Sequence, residues 1–208
     1  MIIAVDGPAA SGKGTIAKAL AVHFALPWLD TGLLYRAVGI GVLRAGGDPD
    51  NPNIALTACD FPDALLEDPA LRSEGAGAYA SRVSVHPEVR AALIERQKAF
   101  AAQPGGAVLD GRDIGTVIAP HADAKLFVTA SPEIRAERRY RDESADNQDA
   151  NHDAILADII QRDKRDSERA NAPLKRAEDA DLLDTSDLTI SAAVQRAIAL
   201  VEARTGKR

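Results

Sequence analysis

One segment constrains this chain more than any other: Gly7-Pro8-Ala9-Ala10-Ser11-Gly12-Lys13-Gly14-Thr15. It follows the apolar run Ile2-Ile3-Ala4-Val5 and leads into a helical stretch from Lys13 to Ala25. A buried strand, a glycine-rich turn and a helix, in that order, form the setting of a phosphate-binding loop, or P-loop. Successive backbone N–H groups of such a turn converge on an anion, and the helix behind them adds the positive end of its dipole. Gly7 and Gly12 supply backbone freedom and close approach where a side chain would obstruct both. Lys13 then reaches the β- and γ-phosphates of a nucleoside triphosphate, and residues Gly7 to Thr15 become the candidate ATP-binding set.

The rest of the chain continues the alternation. Short apolar runs bounded by turn residues predict strands at 28–30, 106–110, 124–129 and 182–185, in addition to 2–5. Helices are expected from Leu34 to about Leu43 and from Ile190 to Arg204, with another starting at Ser131-Pro132, a serine cap followed by proline at the first helical position. The pattern predicts an α/β fold: a central parallel sheet of about five strands, helices on both faces, and ligands at the carboxyl ends of the strands. With 208 residues, 46% of them hydrophobic, one domain with a sizeable core is expected. Two segments break the rhythm. Residues 47–86 are rich in Pro, Gly, Asp and Ala, and residues 140–154 are polar and acidic. Each reads either as surface loop or as a mobile element over a substrate, a flap and a lid respectively.

Charge and composition narrow the partners. A net charge of −6 argues against a general nucleic-acid binder, which carries a basic face. It leaves room for a nucleotide site, where a few arginines dominate the local field. The lone Cys59 makes an internal disulfide impossible and reads as a small packing residue, in keeping with a reducing compartment. No secretory signal is visible and no run approaches the roughly 20 apolar residues of a membrane span. A cytoplasmic protein without membrane, nucleic-acid or obligate protein partners is expected.

Other residues complete the chemistry that a P-loop begins. Asp110 ends an apolar run, where a carboxylate at a strand's carboxyl end helps hold Mg²⁺; Thr15 is the second candidate metal residue. Phosphoryl transfer needs fixed cations around two phosphate clusters, and arginine binds phosphate in bidentate fashion. Three groups qualify: Arg36 in Asp30-Thr31-Gly32-Leu33-Leu34-Tyr35-Arg36; Arg112 in Asp110-Gly111-Arg112-Asp113; and a pair of helical faces carrying Arg135, Arg138 and Arg139, then Arg162, Asp166 and Arg169. Arg141, Lys164 and Arg165 read as solvated.

Together, Asp6-Gly7-Pro8, Gly12-Lys13-Gly14-Thr15, Asp30-Thr31-Gly32 with Tyr35-Arg36, Ser81, His86-Pro87-Glu88-Val89-Arg90, Asp110-Gly111-Arg112-Asp113 and Arg162 through Arg169 resemble the bacterial cytidylate kinases, a branch of the nucleoside monophosphate kinases. The resemblance implies one P-loop kinase domain over 1–208, with a nucleoside-monophosphate-binding insert at about 47–86 and a lid at about 138–160. It implies that Ser81, Arg90 and Asp113 contact a cytosine base, that Arg162 and Asp166 lie by the sugar, and that Arg36, Arg112 and Arg169 hold the acceptor phosphate. Thr31 stands where the family often has serine, and its hydroxyl contact should survive. Lys13, Arg138 and Arg139 take the catalytic role, with Mg²⁺·ATP as donor and CMP or dCMP as acceptor. This chain departs from the pattern between Arg36 and Ser81, where it is shorter than relatives that fold a small β-sheet; Cys59 to Gly77 has too few alternating apolar residues for one, so helices and loops are expected there.

Asp113 suits such an acceptor on chemical grounds, because cytosine offers an exocyclic amino donor where uracil offers a carbonyl acceptor. Rival acceptors are UMP, shikimate or dephospho-coenzyme A. A GTP-driven switch would need an Asn-Lys-x-Asp tetrapeptide, which the chain lacks, and a structural or nucleic-acid-binding role conflicts with the acidic balance and sparse aromatics.

Overall fold

Five strands, β1 (Ile2–Asp6), β2 (Trp28–Asp30), β3 (Ala107–Gly111), β4 (Ala124–Thr129) and β5 (Asp181–Asp184), form one sheet in the order β2-β3-β1-β4-β5. This computed structural model describes residues 1–145 and 150–207; residues 146–149, including the Asn147-Gln148-Asp149 stretch of the expected lid, lie outside the described residues. Strand β1 pairs in parallel with β3 and β4, and β4 with β5. The register sets Val5 opposite Asp110 and Asp6 opposite Gly111, so the two strands end together where the P-loop leaves β1. Both central strands are apolar and buried because helices cover both faces of a parallel sheet.

The chain forms two compact units, Met1–Leu29 with Phe100–Arg208, and Asp30–Ala99. In the first, α1 (Lys13–His23) and α8 (Ile190–Thr205) pack Ile16, Leu20, Ala193, Ala197 and Val201 onto Ile3, Val5, Val108 and Leu126 of the sheet. Helices α6 (Pro132–Ser144) and α7 (His152–Glu168) make a smaller core of Ala136, Ile155 and Ile159. Ser131 caps α6 as expected, accepting the Ile134 N–H at 3.3 Å with Pro132 in the first turn.

The second unit is helical. Helix α2 (Thr31–Arg44) begins directly after β2, capped by the Asp30 carboxylate, which accepts from Gly32 N–H at 2.9 Å. It meets α4 (Glu74–Val83) so closely that a Cβ on Gly39 would lie 2.7 Å from Tyr79 Cβ. Short α3 (Pro52–Thr57), 3₁₀ turns at Asp63–Glu67 and Pro69–Arg72, and α4 fill residues 47–86; among the described residues this segment contains no strand. Helix α5 (Pro87–Ala101) went unpredicted. Its inward stripe is Val89, Leu93, Gln97 and Ala101, and one glutamine and one alanine in that series blur the apolar period.

Candidate active site

The P-loop closes through a few specific contacts. Gly7 N–H donates to Gly111 O at 3.3 Å, and a Cβ at Gly7 would stand 2.0 Å from Val128 O, so only glycine fits between β4 and the turn. Gly12 takes φ +85° as the N-cap of α1, a left-handed conformation that glycine adopts without strain. Ala10 also lies in the left-handed region, at φ 58°, where an L-residue stores strain. Ser11 is fully buried, and its carbonyl accepts from Thr185 Oγ1 at 3.1 Å, tying the loop to the end of β5.

A cavity of about 600 Å³ opens in front of this loop. Ala10 to Ile16 line one wall, Arg138, Arg139 and Arg141 of α6 another, and Thr185, Leu188, Thr189, Ile190 and Ala193 a third, more apolar one. The volume suits a nucleotide-sized ligand, and the glycine-rich loop brings Lys13 to its wall. Arg138 donates to Thr185 Oγ1 at 3.0 Å and Thr185 O at 2.6 Å. Arg139 pairs with Glu143 at 2.5 Å and Asp158 at 3.4 Å, bridging α6 to α7. Arg141 is largely solvated as expected, yet it forms part of the cavity rim.

Asp110 is buried at the end of β3, and the indole N–H of Trp28 donates to its Oδ2 at 2.8 Å. Among the described residues no three His, Cys, Asp or Glu side chains gather as a metal cage. One oriented carboxylate and the exposed hydroxyl-bearing Thr15 form a sparse, oxygen-only set. Such a set fits Mg²⁺, which keeps waters and takes most remaining ligands from substrate phosphates.

Within the first unit, the structure brings Arg112, Asp113, Arg162, Asp166 and Arg169 into one charged cluster. Arg112 Nε donates to Asp166 Oδ2 at 2.9 Å, and Arg169 stands 3.6 Å from Asp113. Burial pushes the Asp166 carboxyl up, but Arg112, Arg162 and Arg169 outweigh it and hold the group below its ordinary range. One expectation needs correction. Arg169 does not share the helical face of Arg162 and Asp166, because α7 ends at Glu168 and Arg169 is extended at ψ 141°. It reaches Asp113 from a loop instead, where its Nε donates to Ala172 O at 2.7 Å and Leu174 N–H returns to Asp166 O at 2.8 Å.

In the second unit, Thr31 opens α2 and is buried, as is Ser81 on α4. Arg90 of α5 is buried too; it lies over the Tyr35 ring at 5.5 Å, so α5 meets α2 beside Arg36. Arg36 itself donates to Leu71 O at 3.3 Å.

Sequence reasoning missed four supporting residues: Trp28, Thr185, Asp163 and Asp6. Only Asp6 carried a signal, as the acid that opens Asp6-Gly7-Pro8. Its buried carboxylate accepts the N–H groups of Ile114 and Gly115, each at 2.8 Å, and so pins the π-helical turn Ile114–Ile118 that follows Asp113. Burial raises the Asp6 carboxyl to about 7, against those two N–H bonds; Asp113 adds to the rise and Arg112 opposes it. Because the folded value exceeds the unfolded one, the folded state holds this proton more tightly. Asp6's contribution to stability is therefore full below about pH 4 and lost as pH rises through about 7. Thermal melts should show wild type losing roughly 2–4 kcal/mol more than Asp6→Asn between about pH 4 and 8. Parallel slopes would mean that the folded protein keeps Asp6 ionised.

Residues 3–203 match the family model described as cytidylate kinase. A cytidylate kinase of Xanthobacter autotrophicus is 57% identical over 208 residues, covering 100% of this chain and 100% of that protein. One from Rhodopseudomonas palustris is 55% identical over 210 residues, with 100% of this chain and 99% of that protein covered. Among solved structures, a gluconokinase from Sinorhizobium meliloti aligns at TM-score 0.53 and 16% identity over 99% of this chain and 93% of that one, a likeness of fold alone. With its P-loop, parallel sheet and arginine cluster, this chain belongs to the cytidylate kinase family.

Proposed function

We propose that Gly7 to Thr15 bind ATP, that Thr31, Arg36, Ser81, Arg90, Arg112, Asp113, Arg162, Asp166 and Arg169 bind the acceptor, and that Lys13, Arg138 and Arg139 carry the catalysis. The chain is an ATP-dependent kinase that transfers the γ-phosphoryl group to CMP or dCMP, giving CDP or dCDP and ADP. The observation that supports the site assignment most is that one unit holds both a cavity lined by the glycine-rich loop and the Arg112–Asp166 and Arg169–Asp113 cluster.

The loop amides and Lys13 hold the β- and γ-phosphates in line with the acceptor. Arg36, Arg112 and Arg169 neutralise the acceptor phosphate, whose oxygen attacks the γ-phosphorus as the bond to the bridging oxygen of ADP breaks. No general base is required, because the acceptor phosphate is already ionised. Arg138 and Arg139 stabilise charge on the migrating group from α6. Bound beside Asp110 and Thr15, Mg²⁺ would neutralise charge on the donor phosphates. Residues 47–86 act as the acceptor-binding insert and 138–160 as a lid that excludes water and limits ATP hydrolysis.

Among the described residues no helix is long and apolar enough to cross a membrane; nucleotide substrates support a cytoplasmic location. ADP release measured across CMP, dCMP, UMP, AMP and shikimate tests the assignment: CMP and dCMP should exceed the others in kcat/KM by about 10²-fold or more. A preference for UMP, AMP or shikimate would reject it.

A further inference from the structure

Arg135 is an enclosed cation that the transfer scheme leaves unused. It lies on α6 one turn before Arg138 and Arg139, but its side chain is only 3% exposed. Its guanidinium serves three elements at once. Nε donates to Ala130 O at 2.9 Å, just ahead of the α6 cap, and Nη1 donates to Ala9 O at 3.2 Å in the P-loop. Nη1 and Nη2 also grip both carboxylate oxygens of Asp163 on α7, at 3.0 and 2.5 Å. A bidentate fork fixes the plane of the guanidinium as well as its position. Asp163 adjoins Arg162 and stands three residues before Asp166, while Ala9 adjoins the strained Ala10 at the loop crest.

Two rigid pieces therefore share one buried clamp. The Ala9 carbonyl belongs to the same short loop as the amides that face phosphate, so moving it re-aims them. Asp163 belongs to the helix that carries the sugar-binding pair. Two further polar links join α6 to α7, Arg139 with Asp158 at 3.4 Å and Glu137 with His152 at 4.0 Å, and both are more exposed than the Arg135 fork. We infer that Arg135 is a positioning residue that couples the two substrate sites, holding the P-loop at Ala9 in register with α7 through Asp163. The inference rests on the assignment of Arg162 and Asp166 to the acceptor. A lysine at 135 can satisfy Asp163 or Ala9 but has no fork with which to hold both.

The test uses calorimetry with a β,γ-non-hydrolysable ATP analogue and no acceptor present, on wild type, Arg135→Lys, Asp163→Asn and the double variant. Asp163→Asn touches only the α7 side of the clamp, so a local structural role leaves donor affinity alone. Coupling instead predicts that Asp163→Asn and Arg135→Lys each weaken the analogue by about three- to tenfold, and that the double variant is no worse than the weaker-binding single one. Should Arg135→Lys fail to fold, Asp163→Asn with an intact circular dichroism spectrum carries the comparison by itself. Donor affinity unchanged in folded Asp163→Asn, or single effects that multiply in the double variant, overturns the clamp. CMP titrated into wild type tests the acceptor assignment separately: absent binding there sinks that assignment and the coupling together, whereas normal CMP binding with unchanged donor affinity in Asp163→Asn sinks the coupling alone.

Discussion

Lys13→Ala is expected to lower the rate of ADP release with CMP and ATP by roughly 10³-fold or more while leaving the fold intact. The two halves of that expectation have separate causes. Lys13 lies in the cavity wall at the first position of α1, where the loop amides and the helix dipole already favour phosphate. Its ammonium adds the one full positive charge that the loop itself supplies, and in the proposed mechanism it meets charge developing on the β–γ bridge. The loop's shape does not depend on it. Gly7 bonds Gly111, Ser11 O receives Thr185, Ala9 O receives Arg135, and Gly12 O receives Ile16 N–H at 3.1 Å. A steady-state assay beside a thermal melt checks both halves, and a variant that turns over at the wild-type rate removes Lys13 from the mechanism.

The contrast between what could and could not be read from the sequence follows from range. The P-loop was legible because a strand, a turn and a helix in immediate succession fix one another locally, and the strands were legible because both central ones are buried on two faces. The helix start at Ser131-Pro132 was written in capping chemistry, whereas α2 begins at Thr31, three residues ahead of the expected Leu34, because the Asp30 carboxylate caps it. Helix α5 escaped because Gln97 occupies a buried position on its inward stripe. The site was legible only as residue types. Arg135, Arg138 and Arg139 share spacing, yet the fold buries the first as a clamp and turns the other two toward the cavity. Nothing at positions 28 and 110 announced that an indole would orient a carboxylate 82 residues away. Arg169 could not be placed by helical periodicity once α7 stopped at Glu168, because a loop has no period to extrapolate.

Asp113→Ala is expected to cut the CMP-over-UMP preference in kcat/KM by about 10- to 100-fold while changing the ATP KM by less than about threefold. A carboxylate accepts the exocyclic amino group of cytosine and faces the carbonyl of uracil with repulsion, so it both attracts one base and rejects the other. The substitution spares the backbone bonds of the surrounding turn. Asp113 precedes the Ile114–Ile118 turn without a side-chain capping bond, and its carbonyl, which alanine keeps, accepts Val117 N–H at 2.9 Å and Ile118 N–H at 3.2 Å. The turn's first two N–H groups belong to Asp6 instead. Arg169 loses one partner at 3.6 Å but retains its bond to Ala172 O. Loss of selectivity with the melting temperature held would therefore report base recognition and not a collapsed loop. An unaltered CMP-to-UMP ratio would move the discrimination away from Asp113, toward Ser81 and Arg90 in the helical unit.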